Sequence, residues 1–148
     1  MKHFPILLIL SCAAIATAAT ALTTISGSGG TLNAPTTIGQ NITASNITLS
    51  GGGTANMSCP VTFFGAGTYQ WNWTCSGGKL YRNGIVVASV SGTMKLSCSG
   101  GGRYNKTTCY HVFSGTATAS GGSGSVAASA KGSTNNAPGT ITSFSATW

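Results

Sequence analysis

The sequence predicts an all-β protein, namely a small secreted antiparallel β-sandwich, Greek-key or barrel-like, with two disulfides. Short runs of alternating apolar and polar residues are separated by Gly-rich turns, which is typical of strands. No long pattern with a period of 3.6 residues follows the first 21 residues, so helices are not expected. Many short strands with Gly-rich turns favour a sandwich or a barrel.

The N-terminus has the features of a secretory signal peptide. Lys2 and His3 give it a positive start, and an apolar stretch runs from Phe4 to Ala19. The segments Ala16–Ala18 and Ala19–Ala21 both fit a small-x-small cleavage site. We therefore predict a signal peptide over residues 1–21 and a single β domain over 22–148. An uncleaved anchor and lipidation at Cys12 remain as alternatives.

Four cysteines follow the predicted cleavage site: Cys59, Cys75, Cys98 and Cys109. An even number of cysteines in an exported chain predicts a disulfide framework. No CxxC spacing occurs, and this disfavours a structural zinc site.

The first disulfide is predicted from an aromatic hairpin. Folding the chain around Ala66-Gly67-Thr68 sets Cys59 opposite Cys75, and residues directly opposite are close enough for a disulfide. The same register pairs Gly65 with Tyr69, Phe63 with Trp71 and Val61 with Trp73. Because side chains alternate along a strand, this pattern predicts one inward aromatic face. That face comprises Tyr69, Trp71, Trp73 and Cys75.

Several other segments flank this hairpin. Leu22–Gly39 is interpreted as a loose leader or an edge strand, and Gln40–Ser50 as a strand broken between its two Ile-Thr pairs. Ser76-Gly77-Gly78 is predicted to be a turn. Asn83-Gly84 lies between two β-rich runs and predicts a tight hairpin, because both turn positions require φ > 0.

A second hairpin follows the same logic as the first. Pairing Cys98 with Cys109 sets Leu96 against His111 and Met94 against Phe113. We therefore predict the disulfides Cys59–Cys75 and Cys98–Cys109. Bridges between the two hairpins remain the alternative connectivity.

The C-terminal third contains a low-complexity segment and a terminal strand. Residues 115–139 are mainly Gly, Ser, Ala and Thr, and are predicted to be a flexible segment or two weak strands. Residues 140–148 place Phe144, Ala146 and Trp148 on one face. This strand either closes its own sheet or inserts into a neighbouring chain by strand exchange.

The absence of Asp and Glu excludes several functional classes. Without carboxylates, neither the usual glycosidase pair nor a Ser-His-acid triad is available, and calcium and magnesium lose their usual ligands. His111 lies near Cys109, but we interpret it as a core histidine because that cysteine is expected to be oxidised. We predict a non-enzymatic protein with no cofactor, no metal and no small-molecule substrate.

Basic residues give the chain a formal net charge of +7, which favours attraction to anionic partners. The alternative interpretation is that these charges solubilise the surface and protect strand edges. No motif for specific nucleic-acid recognition is present. The candidate residues for anion binding are Lys79, Arg82, Lys95, Arg103 and Lys106.

These features together predict a secreted structural or adhesive protein of the cell surface or extracellular matrix, including a filament subunit that self-assembles. The alternative is a basic extracellular binding module for an anionic polymer: polysaccharide, lipid headgroups or nucleic acid. In general appearance the chain is similar to small secreted β-sandwich subunits of bacterial or archaeal surface filaments. No functional residue is transferred from that resemblance. Glycosylation sequons occur at Asn41, Asn46, Asn56, Asn72 and Asn105.

Overall fold

The computed structural model describes residues 21–99, 108–133 and 137–148. The predicted signal peptide therefore lies outside the described residues except for Ala21, and so do Arg103, Asn105 and Lys106. The described residues form nine strands. They are β1 (Thr24–Ser28), β2 (Thr31–Asn33), β3 (Asn41–Leu49), β4 (Thr54–Ala66), β5 (Gln70–Arg82), β6 (Ile85–Ser99), β7 (Thr108–Ala119), β8 (Gly122–Gly132) and β9 (Gly139–Thr147).

The strands form one closed antiparallel barrel. From β3 to β9 each strand pairs with the next, while β1 and β2 both pair with β3 and with β9. β1 and β2 thus act as one interrupted strand, and the barrel has eight strands. The interruption falls at Gly29 and Gly30, whose φ angles of 78° and 70° favour glycine.

The all-β antiparallel prediction is confirmed, and the pairing corresponds to its barrel-like form. Consecutive strands are neighbours throughout, so the connections are up-and-down rather than Greek-key. Closure leaves the described strands paired on both sides, which removes the free edge of an open sheet.

Side chains fill the interior of the barrel. An eight-stranded barrel is just wide enough for its inward side chains to pack together, and 27 apolar residues among those described are buried. Small residues make room for large ones, as at Gly92, which lies directly opposite Gly115 and next to the Phe113 ring. A Cβ added to Gly92 would lie 2.9 Å from the Phe113 Cζ atom, so the missing side chain makes room for the ring.

The second hairpin is confirmed as predicted. Cys98 lies opposite Cys109, Leu96 opposite His111 and Met94 opposite Phe113 in an uninterrupted register. Cys98 and Cys109 form a disulfide, and their Cα atoms are 4.1 Å apart. Two disulfides are typical of a protein that folds in an oxidising compartment.

The first disulfide is confirmed, but the predicted register of its hairpin is wrong. Cys59 and Cys75 are bonded with Cα atoms 5.7 Å apart, yet the residue directly opposite Cys75 is Val61. The register shifts twice between β4 and β5. One extra residue enters β5 between Cys75 and Gly78, and another enters β4 between Val61 and Phe63.

The bulges also change the aromatic face. Trp73 and Cys75 are buried as predicted, but Trp71 is only half-buried and Tyr69 is 45% exposed. The connection between β4 and β5 is residues 67–69 rather than 66–68, and the Gly67 N–H donates to the Gln70 carbonyl at 2.7 Å. Phe63 is 57% exposed because the bulge in β4 turns it outward.

The Ser76–Gly78 segment is not a turn. It lies inside β5, where Gly77 has a φ of 69° and forms part of the first bulge. Isolated glycines within a strand commonly mark such bulges. The Asn83-Gly84 turn is confirmed, with positive φ at both residues, and β3 has its predicted break between Ala44 and Ile47.

Residues 115–139, predicted to be a flexible segment or two weak strands, are largely strand. They contain the end of β7, all of β8 and the start of β9, and only residues 134–136 among them are not described. Burial explains why the strand alternative holds, since the side chains of Val126, Ala128 and Ala130 all point into the core. Side chains this small fit the crowded interior without a large apolar area of their own.

Candidate anion-binding groove

The outer wall and the two ends of the barrel remain available for binding, because the interior is packed. One end carries the connections 34–40 and 67–69, and we call it the loop end. The other carries the turns 50–53, 83–84 and 120–121, and we call it the turn end. Phe64 and Trp73 lie near the loop end with their ring centroids 5.3 Å apart, and the Trp73 Nε1–H donates to the Pro35 carbonyl at 2.7 Å.

The predicted basic residues do not form one patch. Lys79 on β5 and Lys95 on β6 are both exposed, but Lys79 lies opposite Ser89. Lys95 lies six residues further along β6, which is about 20 Å at the rise of a strand. Arg82 is half-buried at the turn end. Arg103 and Lys106 lie outside the described residues.

A shallow groove on the outer wall contains one of these residues, Lys79. It spans β3, β4 and β5 and has a volume of about 230 Å³. In the sheet register Asn41 lies opposite Pro60, and Ser58 lies opposite Lys79. The groove is lined by Asn41, Ser58, Pro60, Gly77, Lys79 and Tyr81.

The bulge in β5 shapes this groove. Gly77 has no side chain to cover the wall, and Gly78 faces inward against β4. A Cβ on Gly78 would lie 2.7 Å from the Ser58 carbonyl oxygen, so the backbones approach closely only because glycine is there. After the bulge, Lys79 and Tyr81 point outward from the same face of β5.

The groove presents a cation, an aromatic ring and several hydrogen-bonding groups. Asn41 Nδ2 donates to Ser58 Oγ at 2.8 Å, which leaves the Asn41 Oδ1 acceptor and the Ser58 hydroxyl hydrogen available to a ligand. The Lys79 ammonium adds three donors and a positive charge. Tyr81 is half-buried and combines an apolar ring with a hydroxyl.

No carboxylate side chain neutralises Lys79, because the chain contains no Asp or Glu. The groove therefore suits a ligand that is anionic, rich in hydroxyl groups and flat enough to lie against the tyrosine ring. An acidic sugar residue has this combination of properties.

The predicted strand-exchange residues lie within the chain's own barrel. Phe144 and Ala146 are 3% and 1% exposed, and β9 pairs with β8 on one side and with β1 and β2 on the other. Trp148 is half-buried at the turn end, where its backbone exchanges hydrogen bonds of 2.8 and 3.0 Å with Thr23. Exchange into another chain would require this barrel to open.

His111 is a core residue, in agreement with its sequence interpretation. It is 1% exposed, and its Nδ1 atom has no hydrogen-bond partner among the described residues. Burial lowers the pKa of His111 from its usual value of 6.5. Cys109 is held in a disulfide and offers no thiolate for a Cys–His pair.

Sequence reasoning identified Lys79 but missed the residues around it. Asn41, Ser58 and Pro60 come from β3 and β4, and the register that brings them to Lys79 depends on the bulge. The Gly77-Gly78 pair inside an otherwise strand-like run is the signal that would have indicated a bulge. Lys131, exposed on β8 opposite Tyr110, was also not predicted as a binding residue.

Neither family models, nor curated proteins, nor solved structures give a match to this chain. No helix among the described residues is long and apolar enough to cross a membrane. Within the same residues, no three His, Cys, Asp or Glu side chains cluster as metal ligands would.

Proposed function

We propose that this chain is a non-enzymatic, secreted adhesive protein that binds an anionic polysaccharide of a cell surface or extracellular matrix along its outer wall. The groove around Lys79 and Tyr81 carries this proposal. It combines an unneutralised ammonium group, an aromatic ring and hydroxyl and amide groups within about 230 Å³. Secretion is supported by the two disulfides and by the signal-like N-terminus.

The distribution of charge favours a polymer over a small ligand. Lys79, Lys95 and Lys131 lie on different strands and are exposed, while the whole chain has seven basic and no acidic residues. A polymer with repeating negative charges binds at Lys79 in the groove and is attracted by the positive field of the separate Lys95 and Lys131. The binding is therefore expected to weaken as salt rises.

Because the barrel is closed, a filament built by strand addition is less favoured than an adhesive role for the single barrel. Strand addition uses an open sheet edge, and the described strands pair on both sides. The adhesive role proposed here requires only a rigid barrel with an accessible wall.

Chromatography on an immobilised uronic-acid polysaccharide, with a neutral polysaccharide of similar size as control matrix, tests the proposal. The wild type is expected to be retained on the acidic matrix at low salt and released by added salt. Replacing Lys79, Lys95 and Lys131 together by Met should abolish retention, whereas replacing the same three by Arg should preserve it. Equal retention on the neutral matrix, or unchanged retention of the Met variant, would contradict the proposal.

A further inference from the structure

Arg82 occupies an unusual position at the turn end of the barrel. Gly78 and Leu80 face the interior, so strand alternation places Arg82 on the interior face of β5 at its last residue. The side chain is half-buried, and its Nε atom is buried without a hydrogen-bond partner among the described residues. Lys79 points to the opposite side of the same strand, so the two cations serve different surfaces.

A cavity of about 260 Å³ lies beside Arg82 at the turn end. Ile25 and Leu49 contribute apolar walls, and both are almost fully buried at 6% and 5% exposure. Hydroxyl-bearing residues and one glycine complete the opening. The lining residues are Thr24, Ile25, Ser26, Leu49, Ser50, Gly51 and Arg82.

Hydrogen bonds fix the polar wall of this cavity and engage the hydroxyl hydrogens of Ser26 and Ser50. Ser50 Oγ donates to the Ser26 carbonyl at 2.9 Å, and the two hydroxyl oxygens are 2.9 Å apart. Since each hydroxyl has one hydrogen, Ser26 Oγ is then the donor to Ser50 Oγ. Among the residues that line the cavity, the charged donor is the Arg82 guanidinium.

A buried N–H without a partner is unfavourable, and a guanidinium keeps its charge at all physiological pH values. In most proteins a carboxylate side chain would pair with such a group, but this chain has none. The geometry of a guanidinium fork matches a carboxylate through two parallel hydrogen bonds. We propose that the turn-end cavity binds a small organic carboxylate, with its anionic group on Arg82 and its apolar part against Ile25 and Leu49.

This site is independent of the proposed adhesive function, because it lies at the end of the barrel rather than on its wall. The apolar walls also predict which anions bind most tightly. Butyrate should bind more tightly than acetate, and both more tightly than inorganic phosphate, which has no apolar part to bury.

Nuclear magnetic resonance titrations of the full protein with acetate, butyrate and phosphate, at constant ionic strength, test the site. The Arg82 Nε–Hε and Gly51 amide signals should shift and saturate, most strongly with butyrate. Arg82→Lys keeps the charge but loses the fork, and should raise the butyrate Kd by about tenfold or more. Lys79→Met is the matched control and should leave the Kd unchanged.

Other outcomes would overturn the site. A shift that grows linearly without saturation, or a Kd equally affected by Lys79→Met, means that the anions act only through general charge. If Arg82→Lys does not fold, saturation of the wild-type shifts and the order butyrate, acetate, phosphate still decide the question. Arg82→Lys should be retained on the acidic polysaccharide as strongly as the wild type. The polysaccharide assay and the butyrate titration therefore test the two proposals independently.

Discussion

Trp71 and Trp73 are neighbours on the same face of β5, but they contribute differently to stability. Trp73 is 3% exposed, packs on Phe64 and donates to the Pro35 carbonyl, whereas Trp71 is only half-buried near the loop end. Trp73→Ala should therefore lower the free energy of unfolding by about 3–5 kcal/mol. Chemical denaturation should show a clearly smaller loss for Trp71→Ala and almost none for the exposed Asn72→Ala. An equal loss at both tryptophans would contradict this placement.

His111 should make stability depend on pH. Its folded-state pKa is lowered by burial, so below pH 6.5 the unfolded chain binds a proton that the folded barrel does not. The contribution of neutral His111 to the free energy of unfolding is fully present above pH 6.5 and is lost as pH drops toward the lowered pKa, with a slope of at most about 1.4 kcal/mol per pH unit. No Asp or Glu titrates in this range, and the other histidine is His3 in the predicted signal peptide.

Denaturation midpoints measured between pH 7.5 and 4.5 check this dependence. The variant His111→Leu fills a similar volume without a titrating group and should show a nearly flat profile. If the stability of His111→Leu still falls as pH drops, another group causes the pH dependence.

At the scale of the element, the bulge in β5 determines both the hairpin register and the groove. The inward Gly78 approaches β4 so closely that an added Cβ would lie 2.8 Å from the Cys59 Cβ atom. Gly78→Ala should therefore cost about 1–3 kcal/mol of stability, as overpacked sites do. Gly51→Ala is the control, since a Cβ there meets open space, and it should change stability by less than about 0.5 kcal/mol. Similar melting temperatures for the two variants would show that the close approach is absent.

The same element marks the limit of what the sequence predicts. The Cys98–Cys109 hairpin was predicted residue by residue because its ladder is regular. The Cys59–Cys75 pairing was also predicted, but its register was not, since each bulge displaces one strand by a residue and alternation rules assume none.

Other parts of the fold are not predicted by local sequence patterns, for different physical reasons. β8 has small residues whose burial depends on the barrel that surrounds them, so its local sequence is similar to that of a linker. Asn41 and Lys79 line the groove from β3 and β5, on either side of β4, and only the complete register places them there. Local patterns therefore predicted the strands, while closure and the site depend on long-range pairing.

At the scale of the whole molecule, closure depends on β9. It lies between β8 and the β1–β2 strand and contributes Ile141, Phe144 and Ala146 to the core. Deleting residues 140–148 should therefore abolish folding at every protein concentration, as measured by circular dichroism and size-exclusion chromatography. A soluble, folded monomer after the deletion would contradict the role of β9 in closure.

We propose that the closed barrel binds an acidic polysaccharide through the groove around Lys79. The most direct measurement is a map of amide chemical-shift changes during titration with a uronic-acid oligosaccharide. We predict saturable changes concentrated at the groove and reduced by Lys79→Met, but not by Lys79→Arg. Small changes spread evenly over all exposed basic residues, or a maximum at the loop end, would contradict the claim.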